Sequence, residues 1–495
     1  LILTATLALP LVGALVLIFA GSWRENQIRL FATTVAVLPL LLLIWAWLLF
    51  DPNGAMFQLV EEYEWVPSLG MGFRLGVDGI ALAVATMSAL LFAGAAAYPV
   101  ETKGMARQYY AWLLFLETVS LGVFLSLDLL LFYVFFDLNL VGMYFLIARW
   151  GHGRPEYSAL KFFLYTLLGS LALLLAIIAL YLAADPHTFD MRELIAQQPL
   201  AGMAPAAGLV LLGFVVGFAI KTPLVPFHTW LPQAHVDAPA PASAILAGVL
   251  LKMGTYGLIR IPYSMMEETF AQYALWLAIL AVISILYGAL VALGQGDMKR
   301  RIAYTSINHM GYTVLGIAVA GALLEGSEAA RSLALTGAAI EMVAHGLITG
   351  SLFLIAGSFW SRGQSYDMDI YGGLGSKAPK LTGMTALAAF ASLGLPGLAG
   401  FVAEFHIFVG TFGVYPWLAA IGLLGILITA ALFLQMLQRL FFGKLPAQWS
   451  GFADLHRSEL SVLLILLLLV VVIGVAPGFL IDVVEQSARW LVGGG

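Results

Sequence analysis

No cysteine occurs in the 495 residues, and charged side chains make up only 10% of them. The first absence excludes a protein-thiolate iron–sulfur cluster, a disulfide framework and a Cys-ligated zinc. The second excludes an ordinary soluble domain, in which about 25% of residues are charged. Basic residues are too few for a nucleic-acid surface, because 23 Lys and Arg against 28 Asp and Glu leave a net charge of −5. The eight His are scattered, with no metal-ligand spacing such as H-E-x-x-H. Neither redox chemistry nor a metal site is expected in this chain.

What fills the sequence instead is apolar: 61% of residues are hydrophobic. Such a chain satisfies its backbone inside helices, with lipid outside, rather than around one water-excluding core. Windows of about 19 residues predict spans at 1–20, 28–50, 76–98, 109–126, 129–148, 159–184, 206–222, 241–262, 271–293, 301–321, 333–360, 382–411, 416–442 and 460–483. The first, LILTATLALPLVGALVLIFA, has no basic leader and reads as a span rather than a cleaved signal. The expected class is an all-α polytopic membrane protein of fourteen helices in a lipid bilayer.

Lys and Arg fix an orientation. Alternate loops put Arg24, Arg29, Lys103, Arg107, Arg149, Arg154, Lys299, Arg300, Arg301, Arg362, Lys377, Lys380, Arg439, Lys444 and Arg457 on one side. Arg74, Arg192, Arg260, Arg331 and Arg489 fall on the other. The rich side is expected to be cytoplasmic and both termini periplasmic, in a bacterial cytoplasmic (inner) membrane or an equivalent energy-transducing one.

Lys161, Lys221 and Lys252 fall inside spans, as do Glu117, Asp137, Glu341 and Glu404, with His309 and His345 also deep and Asp78 at a span mouth. Ionisable groups at that depth cost several kcal/mol unless paired or hydrated, and they mark ion or proton pathways. Lys161 is close enough to its helix end to snorkel instead, and Glu117 sits halfway along a short span. Glu341 and His345, spaced i, i+4, share a helix face and can satisfy each other.

Two spans are interrupted. GFAIKTPLVPFHTWLP puts Lys221 directly before Thr-Pro, and FASLGLPGLAGFVAEF puts Glu404 just after a Gly- and Pro-rich break. Broken helices at mid-membrane free backbone groups that hold water or ions. The breaks lie in spans seven and twelve, an odd offset, which predicts that spans 4–8 and 9–13 are inverted repeats. The chain then divides into 1–108, the repeats 109–262 and 271–442, and a final segment 443–495. A Lys taken out of water is pushed toward its neutral form and a nearby carboxylate pulls it back. A row of such groups, Asp137, Lys221, Lys252, His309, His345 and Glu404, can pass protons sideways through the membrane plane.

Several stretches together carry a resemblance: GVDGIALAV, LDLLLFYVFFDLNLVGMYFLIARWG, FAIKTPLVPFHTWLPQAHVDAPAPASAILAGVLLKMGTYGLIR, DMKRRIAYTSINHMGY and MVAHGLITGSLFLIAG. The sequence resembles the M-type antiporter-like subunits of proton-pumping NADH-quinone oxidoreductase, respiratory complex I. The resemblance implies fourteen helices with inverted five-helix repeats, no cofactor in the subunit, and neighbouring antiporter-like subunits in a membrane arm as partners. It implies that Lys221 is the broken-helix lysine, Lys252 the central lysine, Glu404 the broken-helix acid, and His309 and His345 midplane histidines. It leaves His228 of the PFHTW stretch, with Lys161, Glu117 and Glu341, as secondary candidates for proton transfer. Two departures stand out: Asp137, preceded by Phe136, replaces the family's usual Glu preceded by Trp, and Glu341 stands where a neutral residue is common. The shorter Asp137 predicts a contact with Lys221 longer than a hydrogen bond. The function expected is proton translocation driven by electron transfer in other subunits. The alternatives are an Mrp-type sodium/proton antiporter subunit and a membrane scaffold that moves no ions.

Overall fold

The structure, a computed structural model, describes residues 1–19, 21 and 23–493. The last residue of the first expected span, at 20, and the end of the final segment, 494–495, lie outside the described residues. Among the described residues, eleven helices are long and apolar enough to cross a membrane. They divide by burial. Ala240–Tyr263 and Glu328–Gly363 are enclosed on all sides, whereas Ile2–Phe19, Glu25–Leu49, Pro155–Ala183, Pro416–Phe441 and Arg457–Val475 turn most of their surface outward. The two enclosed helices carry Lys252, Glu341 and His345, so the chain puts these ionisable groups at its centre rather than its rim.

Helix starts follow local chemistry. Asp78, Asp128, Asp190 and Asp297 each precede a helix in extended conformation and accept a backbone N–H of its first turn, as Asp78 does from Ala81 at 2.8 Å. These caps satisfy donors that have no partner inside the helix.

Both expected breaks are present. Ala206–Lys221 stops at Thr222, and Leu231–Asp237 resumes beyond Pro223 and Pro226, which lack the N–H a helix needs. The freed groups find other partners: Trp230 Nε1 donates to the Ile220 carbonyl at 2.9 Å and Val225 N to Ser284 Oγ at 3.0 Å. The second break separates Pro379–Ser392 from Ala399–Val414, with Gly394 and Gly397 at φ +77° and +92°. The helix carrying Lys252 is not regular either, because residues 246–250 and 259–263 form π turns on both sides of it. π turns inside α-helices frequently mark functional positions.

Two expectations need correction. The class is not purely α: Gln58–Val66 and Met71–Val77 form an antiparallel hairpin pairing Tyr63 with Phe73. A search for long apolar runs passes over QLVEEYEWV because its acidic residues dilute the window. Arg74 ties the hairpin to Leu129–Trp150 through its capping Asp128 at 2.8 Å, and Glu62 ties it to Arg192 at 2.6 Å. The last expected span, 460–483, is also not one helix. Arg457–Val475 ends before Pro477, and a separate helix, Gly478–Gly493, packs on Gly79–Ala97 and Glu328–Gly363, with Ser487 Oγ accepting the Gly79 N–H at 2.8 Å.

Candidate functional site

The central site is built from five helical segments. Lys252 Nζ donates to the Ala247 carbonyl in the preceding π turn at 2.7 Å and lies 2.5 Å from His345 Nδ1 on the neighbouring enclosed helix. The His345 ring is 5.3 Å, centre to centre, from that of His309 on Met298–Ala320. His309 Nδ1 is 3.1 Å from Glu341 Oε1 and 3.9 Å from Glu404 Oε1, and its Nε2 is 3.1 Å from Ser392 Oγ. Ser392 ends one half of the second broken helix and Glu404 belongs to the other. The break therefore folds both around one imidazole. All of these side chains are nearly inaccessible to solvent.

Four expected residues, Lys252, His309, His345 and Glu404, thus form one buried row, and Glu341 joins it. Glu341 and His345 do not satisfy each other as their spacing allowed: Glu341 turns to His309 and His345 to Lys252. Glu341 Oε2 and His345 Nε2 have no hydrogen-bond partner in the protein. Glu404 also borders a lateral groove of about 420 Å³, lined by Phe401, Phe405, Phe408 and Phe412.

Lys221 and Asp137 form a second, looser cluster. Lys221 is buried, its Nζ has no hydrogen-bond partner, and it sits 4.9 Å from the centre of the Phe136 ring. Asp137 is half-buried and its Oδ1 is unpartnered. The two make no ion pair, in keeping with the longer separation expected for the shorter acid.

The other three secondary candidates scatter. Lys161 donates to Gln233 Oε1 at 2.9 Å, and the His228 ring stands 5.0 Å from Tyr287. Glu117 is fully buried with neither carboxyl oxygen partnered, apart from the row. Asp78 is bound by Arg260 Nη2 at 2.6 Å in a fully buried pair on the hairpin side, which is a structural role.

Sequence reasoning missed His235 and Ser392. His235 is fully buried, stacked 4.4 Å from Phe353, with both ring nitrogens unpartnered. It lies in the proline-rich stretch where hydropathy gives no depth.

Residues 126–429 match the family described as NADH:quinone oxidoreductase/Mrp antiporter, transmembrane. The chain belongs to this family. Within it, the sequence is 36% identical to NADH-quinone oxidoreductase subunit M of Rickettsia prowazekii, over 99% of this chain and 98% of that one. Among solved structures it is similar to a chain of respiratory complex I from Thermus thermophilus, with TM-score 0.88, 30% identity and full coverage of both chains. It also shares its fold with a chain of the Mrp complex from Dietzia, at TM-score 0.85 and 21% identity over 99% and 97% of the two chains. The chain is thus an antiporter-like membrane subunit of the M type, in a family whose members serve NADH-quinone oxidoreductase.

Proposed function

We propose that this chain translocates protons as a membrane-arm subunit of an NADH-quinone oxidoreductase, with electron transfer carried out in other subunits and no redox group of its own. The observation that carries the reading is the buried contact of Lys252 with His345, followed by His309 held between Glu341 and Glu404. Each of these groups can accept and donate a proton, and they join the two halves of the chain. Lys221, at the first break, is on a helix that packs against the one carrying Lys252. A proton moving from Lys221 to Lys252 and on through His345 and His309 reaches Glu404, with water bridging the steps where the side chains do not touch.

The finer architecture belongs to the same reading. Met298–Ala320 and the two broken helices, 206–237 and 379–414, cross with the eleven apolar helices to give fourteen spans. Spans 4–8 and 9–13 are inverted repeats, the basic face is cytoplasmic, and both termini lie outside. Neighbouring antiporter-like subunits flank the chain.

Lys221→Ala and Glu404→Ala in the assembled complex are expected to abolish or sharply lower proton pumping, read as quenching of a pH-sensitive dye in inside-out vesicles oxidising NADH. A normal proton-to-electron ratio in both variants would sink the reading. The fold shared with the Mrp chain supports a second one, sodium/proton antiport. Sodium-dependent pH changes in vesicles without NADH would favour that alternative.

A further inference from the structure

A second line of titratable groups runs from the basic face toward the central site. At the surface, half-buried His152 lies in the loop after Leu129–Trp150, stacked 4.2 Å from Trp360. Its Nε2 is 3.0 Å from the Tyr366 hydroxyl. Above the Tyr366 ring, 4.8 Å from its centre, stands the Nζ of fully buried Lys299. That Nζ donates to the carbonyls of His235 and Ala238, at 3.0 and 2.6 Å, and to Ser243 Oγ at 3.2 Å. The His235 ring lies within electrostatic reach of both Lys299 and Lys252.

Inward of His235 the helix Glu328–Gly363 supplies the remaining step. Phe353, on which His235 stacks, Thr349 and His345 are spaced i, i+4, i+8 along it and share one face, about 6 Å apart in height per step. Thr349 is buried, and its hydroxyl has no hydrogen-bond partner. The same is true of both His235 nitrogens and of His345 Nε2. Buried polar atoms are rarely left without partners, and four on one short line are what bridging waters would satisfy. None of this geometry is needed to pass protons from Lys221 to Lys252.

We propose that His152, Tyr366, Lys299, His235 and Thr349 form a proton intake that feeds Lys252 directly from the basic face, a branch resting on the proton-translocating reading above. A proton leaving Lys299 Nζ for His235 passes by way of Thr349 to His345 Nε2, and the imidazole releases one from Nδ1 to a neutral Lys252. Lys299 is then refilled from the Tyr366 hydroxyl across a bridging water, and Tyr366 from His152, so one proton enters for each delivered. His152 stays neutral at pH 7, its pKa lowered to about 3 by burial first and then by Lys299 and Lys103. It therefore relays by accepting at one nitrogen as it donates from the other.

The test uses the assembled complex in inside-out vesicles. Thr349→Val and Tyr366→Phe remove one hydroxyl each at nearly constant shape, His235→Phe keeps the stack on Phe353, and Thr349→Ser restores the hydroxyl. NADH oxidation by an artificial acceptor reports assembly. The first three variants are expected to lower the proton-to-electron ratio toward that of Lys252→Ala and to enlarge the solvent deuterium isotope effect on coupled turnover. Thr349→Ser is expected to do neither. Normal ratios and isotope effects in all three, alongside a loss in Lys252→Ala, overturn the intake and leave the translocating reading standing. A normal ratio in Lys252→Ala itself overturns the reading beneath it. If one variant fails to assemble, the other two decide.

Discussion

Lys221 Nζ lies 4.9 Å from the centre of the Phe136 ring and forms no ion pair with Asp137, the next residue on the same helix. A buried ammonium without a bound carboxylate is poised rather than locked, since a small approach of Asp137 changes which form of the lysine is favoured. Asp137→Asn removes that influence and is expected to cut pumping several-fold in the vesicle assay. Asp137→Glu adds one methylene toward Lys221 and is expected to keep it. Full pumping by Asp137→Asn would show that the carboxylate is dispensable.

The Arg260–Asp78 pair poses the opposite problem, because both partners are fully buried and touching at 2.6 Å. Arg260 Nε also donates to the Tyr256 hydroxyl, which in turn donates to the Phe124 carbonyl. Removing one partner of such a pair strands the other charge, at about 3–5 kcal/mol. Arg260→Met and Asp78→Asn should therefore each lower the thermal stability of the complex or its yield on native gels. The double variant should recover much of the loss, and a double variant worse than either single would refute the pairing.

How far the sequence foretold this arrangement depends on which residues are asked about. The breaks at Lys221 and Glu404 were legible because Pro and Gly act on the backbone itself, whatever surrounds them. The depth of Lys252, His309 and His345 was legible because hydropathy measures position along the membrane normal. Partners were not, because they depend on helix rotation: Glu341 lies one turn from His345 yet binds His309 on another helix. His235 was missed for want of a hydropathy window around it. The 58–77 hairpin was missed because nothing but alternation marks a short strand pair outside the bilayer.

Glu117 separates burial from function. It is fully buried, yet neither of its oxygens has a hydrogen-bond partner, and no member of the row bonds to it. Glu117→Gln conserves volume and removes the ionisable proton, so it tests the carboxyl group without opening a cavity. Assembly and the proton-to-electron ratio of this variant are expected to match the parent. A lost ratio with intact assembly would bring Glu117 into the proton path.

Gly394 tests whether the break positions Glu404 or merely precedes it. Its φ of +77° lies in the left-handed region that disfavours a side chain, and a Cβ there would stand 2.3 Å from Glu404 Oε2. Gly394→Ala therefore strains the backbone and drives the carboxylate off its site together. Because Glu404 Oε1 is 3.9 Å from His309 Nδ1, a shift of even an ångström decides whether the two remain within reach of one bridging water. Pumping by Gly394→Ala should fall close to that of Glu404→Ala, with NADH oxidation by an artificial acceptor unchanged. Gly397→Ala is the control: it shares the positive φ, at +92°, but its Cβ would meet nothing within 4 Å. A loss in the first variant well beyond that in the second assigns the effect to the displaced carboxylate, while equal losses would mean that backbone strain at the break is the whole cause.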